Sequence, residues 1–179
     1  MKDVPISDEA LPAEQTRRRF LQLAALSVSL LAFLLPGATQ AAGKTEALLL
    51  SCMDYRLTHH TEQYMSSRGL REKYDHIVLA GAALGAITKK YPAWNKTFWE
   101  HLDIAIQLHA IHKVMVLDHR DCGAYKVILG EDFAKDPAKE RGVHASQLKQ
   151  LASLIKQRYP KLEIELLLMS LDGKVETIS

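Results

Sequence analysis

Four short apolar segments, separated by longer stretches with helical spacing, constrain the fold of this chain more than any other feature. They are residues 47–51, 76–80, 113–118 and 162–169. Their leucines, valines and isoleucines are typical of interior strands. Strands that alternate with helices form parallel sheets, which helices cover on both faces. The sequence therefore predicts an α/β domain with a central, mostly parallel four-stranded sheet flanked by helices.

Helices are predicted in the stretches between these strands. The predicted segments are residues 58–74, 82–89, 121–130 and 141–159, together with a helix that begins with Asn95 or Thr97 as its N-cap and ends before His112. The apolar residues of the longer helices recur at spacings that place them on one face. Tyr125, in one of the shorter helices, is predicted to fill the core.

The first 42 residues have the order of an export signal. Three arginines, Arg17 to Arg19, precede the apolar residues 23–35, and small residues follow around Ala41 and Ala42. The apolar segment is shorter than the roughly 20 residues that span a bilayer. Arginines before Phe-Leu are typical of the twin-arginine type, which carries folded proteins across a bacterial inner membrane. We expect a removable signal in residues 1–42 and a periplasmic domain in residues 43–179, with an uncleaved membrane anchor as the alternative.

The charge of the chain excludes one class of partner. With 23 basic and 21 acidic side chains, the sequence is nearly neutral, and it predicts no basic face for nucleic acid. Contact with a membrane is expected only through the export signal before its cleavage.

Both cysteines of the chain lie at the ends of predicted strands. Cys52 follows the first strand, and His119 and Cys122 follow the third. Because the carboxyl ends of parallel strands meet at one edge of the sheet, we expect the three side chains to converge. Zinc prefers sulfur and nitrogen ligands, and three protein ligands leave a fourth position for water. The sequence therefore predicts a Zn²⁺ site, in which the ion lowers the pKa of water from about 16 towards about 7.

Asp54 and Arg56 follow Cys52 at intervals of two residues. In an extended backbone, alternate side chains share a side, so both would face the metal. Asp54 would then either occupy the fourth zinc position and close the site, or pair with Arg56 and accept a hydrogen bond from water. We predict catalytic roles for both residues, with Arg56 restraining Asp54.

A disulfide between Cys52 and Cys122 is an alternative to zinc, because exported proteins commonly contain disulfides. Export in the folded state favours zinc, since the domain would bind metal in the reducing cytoplasm before it meets an oxidant.

The pattern Cys-x-Asp-x-Arg after one strand and His-x-x-Cys-Gly after another resembles the β-class carbonic anhydrases. The resemblance extends from Glu46 to about Ile128, and more loosely to the end of the chain. It implies zinc ligation by Cys52, His119 and Cys122 and an aspartate–arginine dyad of Asp54 and Arg56. It also implies hydration of carbon dioxide to bicarbonate in a homodimer or higher homo-oligomer, with active sites near the subunit interface.

The chain departs from the family pattern in three places. Tyr55 replaces a serine, Leu79-Ala80-Gly81-Ala82 replaces an arginine-asparagine-alanine-glycine segment, and the export signal occupies the place of an N-terminal helical arm. These departures concern the substrate pocket and subunit contacts. They leave two alternatives open: hydrolysis of carbonyl sulfide or carbon disulfide, and a non-catalytic zinc-binding protein.

Overall fold

A computed structural model of the protein describes residues 43–179, so the predicted export signal in residues 1–42 lies outside the described residues. Five strands are present: β1 (Ala47–Ser51), β2 (Tyr74–Val78), β3 (Lys113–His119), β4 (Glu163–Met169) and β5 (Val175–Thr177). Five α-helices accompany them: α1 (Thr58–Ser67), α2 (Ala82–Ile87), α3 (Pro92–His109), α4 (Gly123–Leu129) and α5 (Pro137–Arg158). Short 3₁₀ turns span Tyr55–Leu57 and Phe133–Lys135. No helix in the described part of the chain combines the length and apolarity needed to cross a membrane.

The strands form one sheet in the order β2-β1-β3-β4-β5. The first four are parallel, and β5 is antiparallel to β4. The predicted α/β class with a mostly parallel sheet is confirmed, although the sheet has five strands rather than four. The additional strand has three residues and follows a tight turn at Asp172-Gly173, where Gly173 adopts a φ of 84°.

Alternate residues of the central strands supply two separate cores. Leu48 and Leu50 of β1 pack with Phe98 of α3 and Leu148 of α5. Leu49 points the opposite way and packs in the core that holds Met65 of α1. Successive side chains of a strand point to opposite faces, so a strand covered on both faces is apolar throughout. This explains why β1 is completely buried.

Two helices begin earlier than the sequence predicted. Helix α3 begins at Pro92, so the prediction that Asn95 or Thr97 caps it is wrong. Proline is favoured in the first turn because its missing N–H has no intrahelical partner there. The Asn95 amide instead donates to the carbonyl oxygen of Gly85 at 3.1 Å. Helix α5 likewise begins at Pro137, after Asp136, whose carboxylate accepts two backbone N–H groups of the first turn.

Candidate metal centre

The sheet brings Cys52, His119 and Cys122 together. Ser51, the last residue of β1, is paired with Leu117 of β3, so both strands end at the same edge. Cys52 directly follows β1, His119 ends β3, and Cys122 precedes α4. The ligand atoms of the three residues all lie within 4.8 Å of one another, in the one cluster of three potential ligands found in residues 43–179.

The distance between the two sulfurs suits a tetrahedral ion. The Sγ atoms of Cys52 and Cys122 lie 3.9 Å apart. In a regular tetrahedron with zinc–sulfur bonds of about 2.3 Å, two sulfurs are separated by about 3.8 Å. The cysteine side chains therefore need little movement to share one zinc ion.

His119 presents its second ring nitrogen to this cluster. Its Nδ1 lies 2.8 Å from the carbonyl oxygen of Arg120, to which it donates a hydrogen bond. This bond leaves the lone pair of neutral histidine on Nε2. Nε2 is buried and has no hydrogen-bond partner among the described residues. A buried nitrogen without a partner is unfavourable, and a metal ion would satisfy it.

The thiols also fit a dication. A hydrogen bond with the Cys122 side chain is the largest cause that lowers the pKa of Cys52. His119 and the N–H of Gly81 lower it further, whereas burial opposes them. The neighbouring Cys52 and burial raise the pKa of Cys122. One thiolate therefore forms readily, whereas a second thiolate 3.9 Å away is opposed by repulsion. A bound divalent cation removes this repulsion, so the donor set matches zinc in ligand type, spacing and charge.

Arg56 holds Asp54 beside the ligand cluster. Its Nε donates to Asp54 Oδ1 at 2.9 Å, and its Nη2 donates to Oδ2 at 2.8 Å. Asp54 Oδ2 lies 3.9 Å from Nε2 of His119. Hydrogen bonds from Arg56 lower the pKa of Asp54 to about 2. Asp54 is therefore a carboxylate near the metal position, with both oxygens engaged by one guanidinium.

The backbone reaches this arrangement through a turn rather than an extended segment. Asp54 caps the 3₁₀ turn Tyr55–Leu57, and its side chain accepts the backbone N–H of Arg56 at 3.0 Å. The condition of an extended backbone from Cys52 to Arg56 is therefore not met beyond Asp54. A carboxylate that accepts an N–H two residues ahead favours a turn, because it replaces a strand hydrogen bond with a local one.

Asp121 is a second partner of Arg56 that sequence reasoning did not identify. Nη1 of Arg56 donates to Asp121 Oδ2 at 2.7 Å, and Nη2 donates to the Asp121 carbonyl oxygen at 2.9 Å. The backbone N–H of Asp121 donates in turn to the buried carboxylate of Glu140 at 2.6 Å. The position of Asp121 between His119 and Cys122 was the available signal.

Asp118 forms a buried network behind the ligands that the sequence did not reveal either. Its carboxylate accepts the Tyr125 hydroxyl, the backbone N–H of Ala83 at 3.0 Å and Nδ1 of His144 at 2.8 Å. Tyr125 is buried, as predicted. The N–H of Gly81, two residues before Ala83, donates to Cys52 Sγ at 3.3 Å. A charged residue inside the apolar segment of β3 was the signal for this network.

An apolar chamber of about 480 Å³ opens beside the cluster. Its walls comprise Cys52, Met53, Asp54, Tyr55, Ala80, Tyr91, Trp94, Cys122, Gly123, Ala124, Val127 and Ile128. The rings of Tyr91 and Trp94 are stacked, with centroids 4.1 Å apart. Tyr55, another lining residue, is 86% exposed. Asp54 is the one charged side chain in this lining, so the chamber suits a small neutral molecule.

Sequence comparison finds a matching family model and two bacterial relatives. A family described as "Putative carbonic anhydrase" matches residues 42–179. An uncharacterized protein of Rickettsia conorii is 39% identical over 135 residues, which cover 75% of this chain and 73% of the relative. An uncharacterized protein of Rickettsia bellii is 37% identical over 135 residues, which cover 75% and 82% of the two chains.

Solved structures share the fold at low identity. The carbonic anhydrase of Streptococcus mutans aligns with a TM-score of 0.52 at 19% identity, covering 89% of this chain and 97% of that one. One of two tetrameric β-carbonic anhydrases from Sordaria macrospora aligns with a TM-score of 0.52 at 11% identity, covering 92% and 98%. The likeness concerns the fold.

Proposed function

Because the chain belongs to the carbonic anhydrase family whose model spans residues 42–179, we propose that it is a zinc enzyme that hydrates carbon dioxide reversibly to bicarbonate. The observation that carries the proposal is the buried, unpartnered Nε2 of His119, which lies with two cysteine sulfurs inside a cluster of 4.8 Å. These atoms form a three-ligand set of the kind that leaves a fourth zinc position open.

The three ligands and the two residues beside them would have separate roles. Cys52, His119 and Cys122 would hold the ion, which supplies a Lewis acid that lowers the pKa of water. Asp54 Oδ2, 3.9 Å from Nε2 of His119, would accept a hydrogen bond from that water and orient it. Arg56 would keep the Asp54 carboxylate from taking the water's place, because it occupies both carboxylate oxygens.

The apolar chamber supports a neutral substrate. Carbon dioxide has no net charge or dipole, and walls of Met53, Tyr91, Trp94, Val127 and Ile128 would accept it without a charged partner. The same walls would admit carbonyl sulfide or carbon disulfide, which react by the same attack on carbon. The chamber is therefore compatible with several small linear molecules as substrates, and the assay must compare them.

Stopped-flow hydration tests the proposal. The domain of residues 43–179, purified with one zinc per chain, is expected to accelerate carbon dioxide hydration at least a thousandfold in kcat/KM over its metal-free form. Carbonyl sulfide is assayed in parallel through the release of hydrogen sulfide. Faster turnover of carbonyl sulfide would reassign the substrate, and background rates with both substrates at full zinc occupancy would favour a non-catalytic zinc protein.

Self-association is also proposed. Met53 is 67% exposed, Tyr55 86% and Val127 60%, and all three line the chamber. Exposed apolar side chains grouped in this way are typical of interaction surfaces. A homodimer or higher homo-oligomer would cover them, in keeping with the tetrameric neighbour from Sordaria macrospora. Light scattering is expected to give at least twice the mass of one chain, and a stable monomer would contradict it.

Export to the bacterial periplasm is the remaining proposal. Replacing Arg17, Arg18 and Arg19 together by lysine keeps the positive charge but removes the guanidinium groups that twin-arginine signals require. Cell fractionation is expected to find the wild-type domain in the periplasm and the lysine variant in the cytoplasm. Equal export of both proteins would contradict the twin-arginine type, and cytoplasmic wild type would contradict export.

A further inference from the structure

The guanidinium of Arg56 is shared between two acidic residues from the two ligand-bearing segments. Its Nε and Nη2 donate to Asp54, which follows Cys52. Its Nη1 and Nη2 donate to the carboxylate and carbonyl oxygens of Asp121, which precedes Cys122. Arg56 is therefore anchored on both sides of the ligand cluster rather than on Asp54 alone.

This second anchor determines what the Asp54–Arg56 pair can do. A pair held only by its own hydrogen bonds would move as one body, because its backbone lies in a single short turn. The carboxylate could then approach the metal position while still bonded to Arg56. Asp121 belongs to the opposite segment, so Arg56 must break two bonds before it can follow Asp54.

The backbone at Asp121 is itself held in place from behind. Its φ of 54° lies in the left-handed region, which few residues other than glycine, asparagine and aspartate adopt readily. Glu140, buried in α5, accepts the backbone N–H of Asp121 at 2.6 Å and is paired with Arg120. The hydrogen bond to this buried acceptor fixes the backbone from which the Asp121 side chain reaches Arg56.

We propose that Asp121 is a positioning residue, which fixes Arg56 so that Asp54 stays off the fourth coordination position of the metal centre. The proposal rests on the zinc function proposed above and adds a residue to it. Asp121 lies outside the three ligand side chains, and it acts through Arg56 rather than on the substrate. An ordinary exposed ion pair would contribute only a little stability and would leave access to the metal unchanged.

Two substitutions of Asp121 distinguish the role of its carboxylate from that of its backbone conformation. Asp121→Gly accommodates the positive φ but removes the acceptor for Nη1. Asp121→Asn tolerates the same φ and keeps one oxygen acceptor without the charge. Asp172→Asn is the matched control, because Asp172 forms an exposed ion pair with Lys174 at 2.7 Å in the hairpin between β4 and β5.

The readout is access to the metal, measured without turnover. The protein is loaded with one Co²⁺ per chain, and azide is titrated while the visible Co²⁺ spectrum is recorded. Azide must take the fourth position, so an Asp54 carboxylate bound there would compete with it. We expect Asp121→Gly to weaken azide binding at least tenfold, Asp121→Asn to weaken it less, and Asp172→Asn to leave it unchanged.

A second substitution tests whether the effect passes through Asp54. In an Asp54→Ala background no carboxylate competes, so adding Asp121→Gly is expected to leave azide affinity unchanged. An equal loss of affinity in both backgrounds, or no loss in either, would overturn the proposal. Wild-type protein that binds Co²⁺ and azide but does not hydrate carbon dioxide would count against the proposed function alone, whereas failure to bind Co²⁺ would overturn both.

Discussion

At the scale of single residues, burial and charge at Cys122 support its proposed role as a metal ligand. Its side chain is 7% exposed and packs with Leu84, Tyr125 and Phe133. Cys52 and burial raise its pKa, so it favours the thiol until a cation compensates the second negative charge. Metal binding must therefore displace a proton from this site, and affinity depends on a sulfur that can lose it.

Cys122→Ser is expected to remove zinc from the protein. The hydroxyl is nearly isosteric with the thiol, but it is a harder and less acidic ligand that zinc binds poorly in place of sulfur. Metal analysis after gel filtration should fall from one zinc per chain to less than a tenth. Met53→Leu, which changes the chamber wall but no ligand, should retain full zinc. One zinc per chain in Cys122→Ser would contradict the ligand assignment.

The convergence of Cys52, His119 and Cys122 could be predicted from the sequence, because each lies at the end of a strand or within three residues of it, whereas their role as metal ligands stays a prediction. Cys52, His119 and Cys122 are placed by the register of β1 and β3, and this register follows from two apolar segments. The partners of Arg56 were harder to predict. Asp121 lies 65 residues from Arg56, and the contact between them depends on a left-handed backbone conformation at Asp121 that no local sequence pattern predicts. The roles of Asp54 and Arg56 remain predictions.

At the scale of secondary-structure elements, one buried carboxylate joins four of them. Asp118 of β3 accepts hydrogen bonds from Ala83 of α2, Tyr125 of α4 and His144 of α5. Burial of a carboxylate is unfavourable unless its oxygens accept hydrogen bonds. The three donors are therefore held together around Asp118. The network fixes α2 and α4, which begin next to Gly81 and Cys122 at the metal centre.

Tyr125→Phe is expected to weaken this junction without removing a metal ligand. The substitution removes one hydrogen bond to a buried carboxylate oxygen that still contacts His144, which costs about 1.5–3 kcal/mol of unfolding free energy. Urea denaturation should show a lower midpoint, while zinc content stays at one per chain. Tyr55→Phe removes a hydroxyl from an 86% exposed side chain and should leave the midpoint unchanged. Equal midpoints for both variants would show that the Asp118 bond contributes nothing measurable.

Elements with their own sequence signal were predicted well, and those that depend on neighbours were not. β1 and β4 carry apolar runs long enough to identify them alone. β5 has three residues and exists because it pairs with β4, although the Asp172-Gly173 turn before it is a typical hairpin signal. The predicted N-caps of helix α3, Asn95 and Thr97, lie four and six residues after the observed N-cap Tyr91, because Pro92 occupies the first turn.

At the scale of the whole domain, the metal centre links parts of the chain that are far apart in sequence. Cys52 and Cys122 are 70 residues apart and meet only when β1 and β3 are paired. Zinc binding at the proposed site would therefore be coupled to folding of the sheet. For the same reason, the two sulfurs also lie close enough to react with each other when no metal separates them.

Removal of the metal is expected to convert the centre into a disulfide. The sulfurs, 3.9 Å apart, must approach by about 2 Å to reach the bond length of about 2.05 Å. With a chelator and oxidised glutathione, the two thiols lose two electrons and two protons, and the oxidant becomes two glutathione molecules. Thiol titration of the unfolded chain should fall from two cysteines to none, and zinc should rebind only after reduction.

The zinc-loaded protein is the control for this prediction, because bound thiolates are shielded from the oxidant. It should keep both thiols under the same glutathione concentration, measured after the metal is released in denaturant and acid. Loss of both thiols in the zinc-loaded form would favour a redox protein over a metal enzyme. Two thiols remaining in the chelated form would show that the sheet holds the sulfurs too rigidly to bond. Oxidation of the zinc-loaded form would also contradict the argument for export in the folded state, because that route protects the two cysteines only if bound metal shields them from the oxidant.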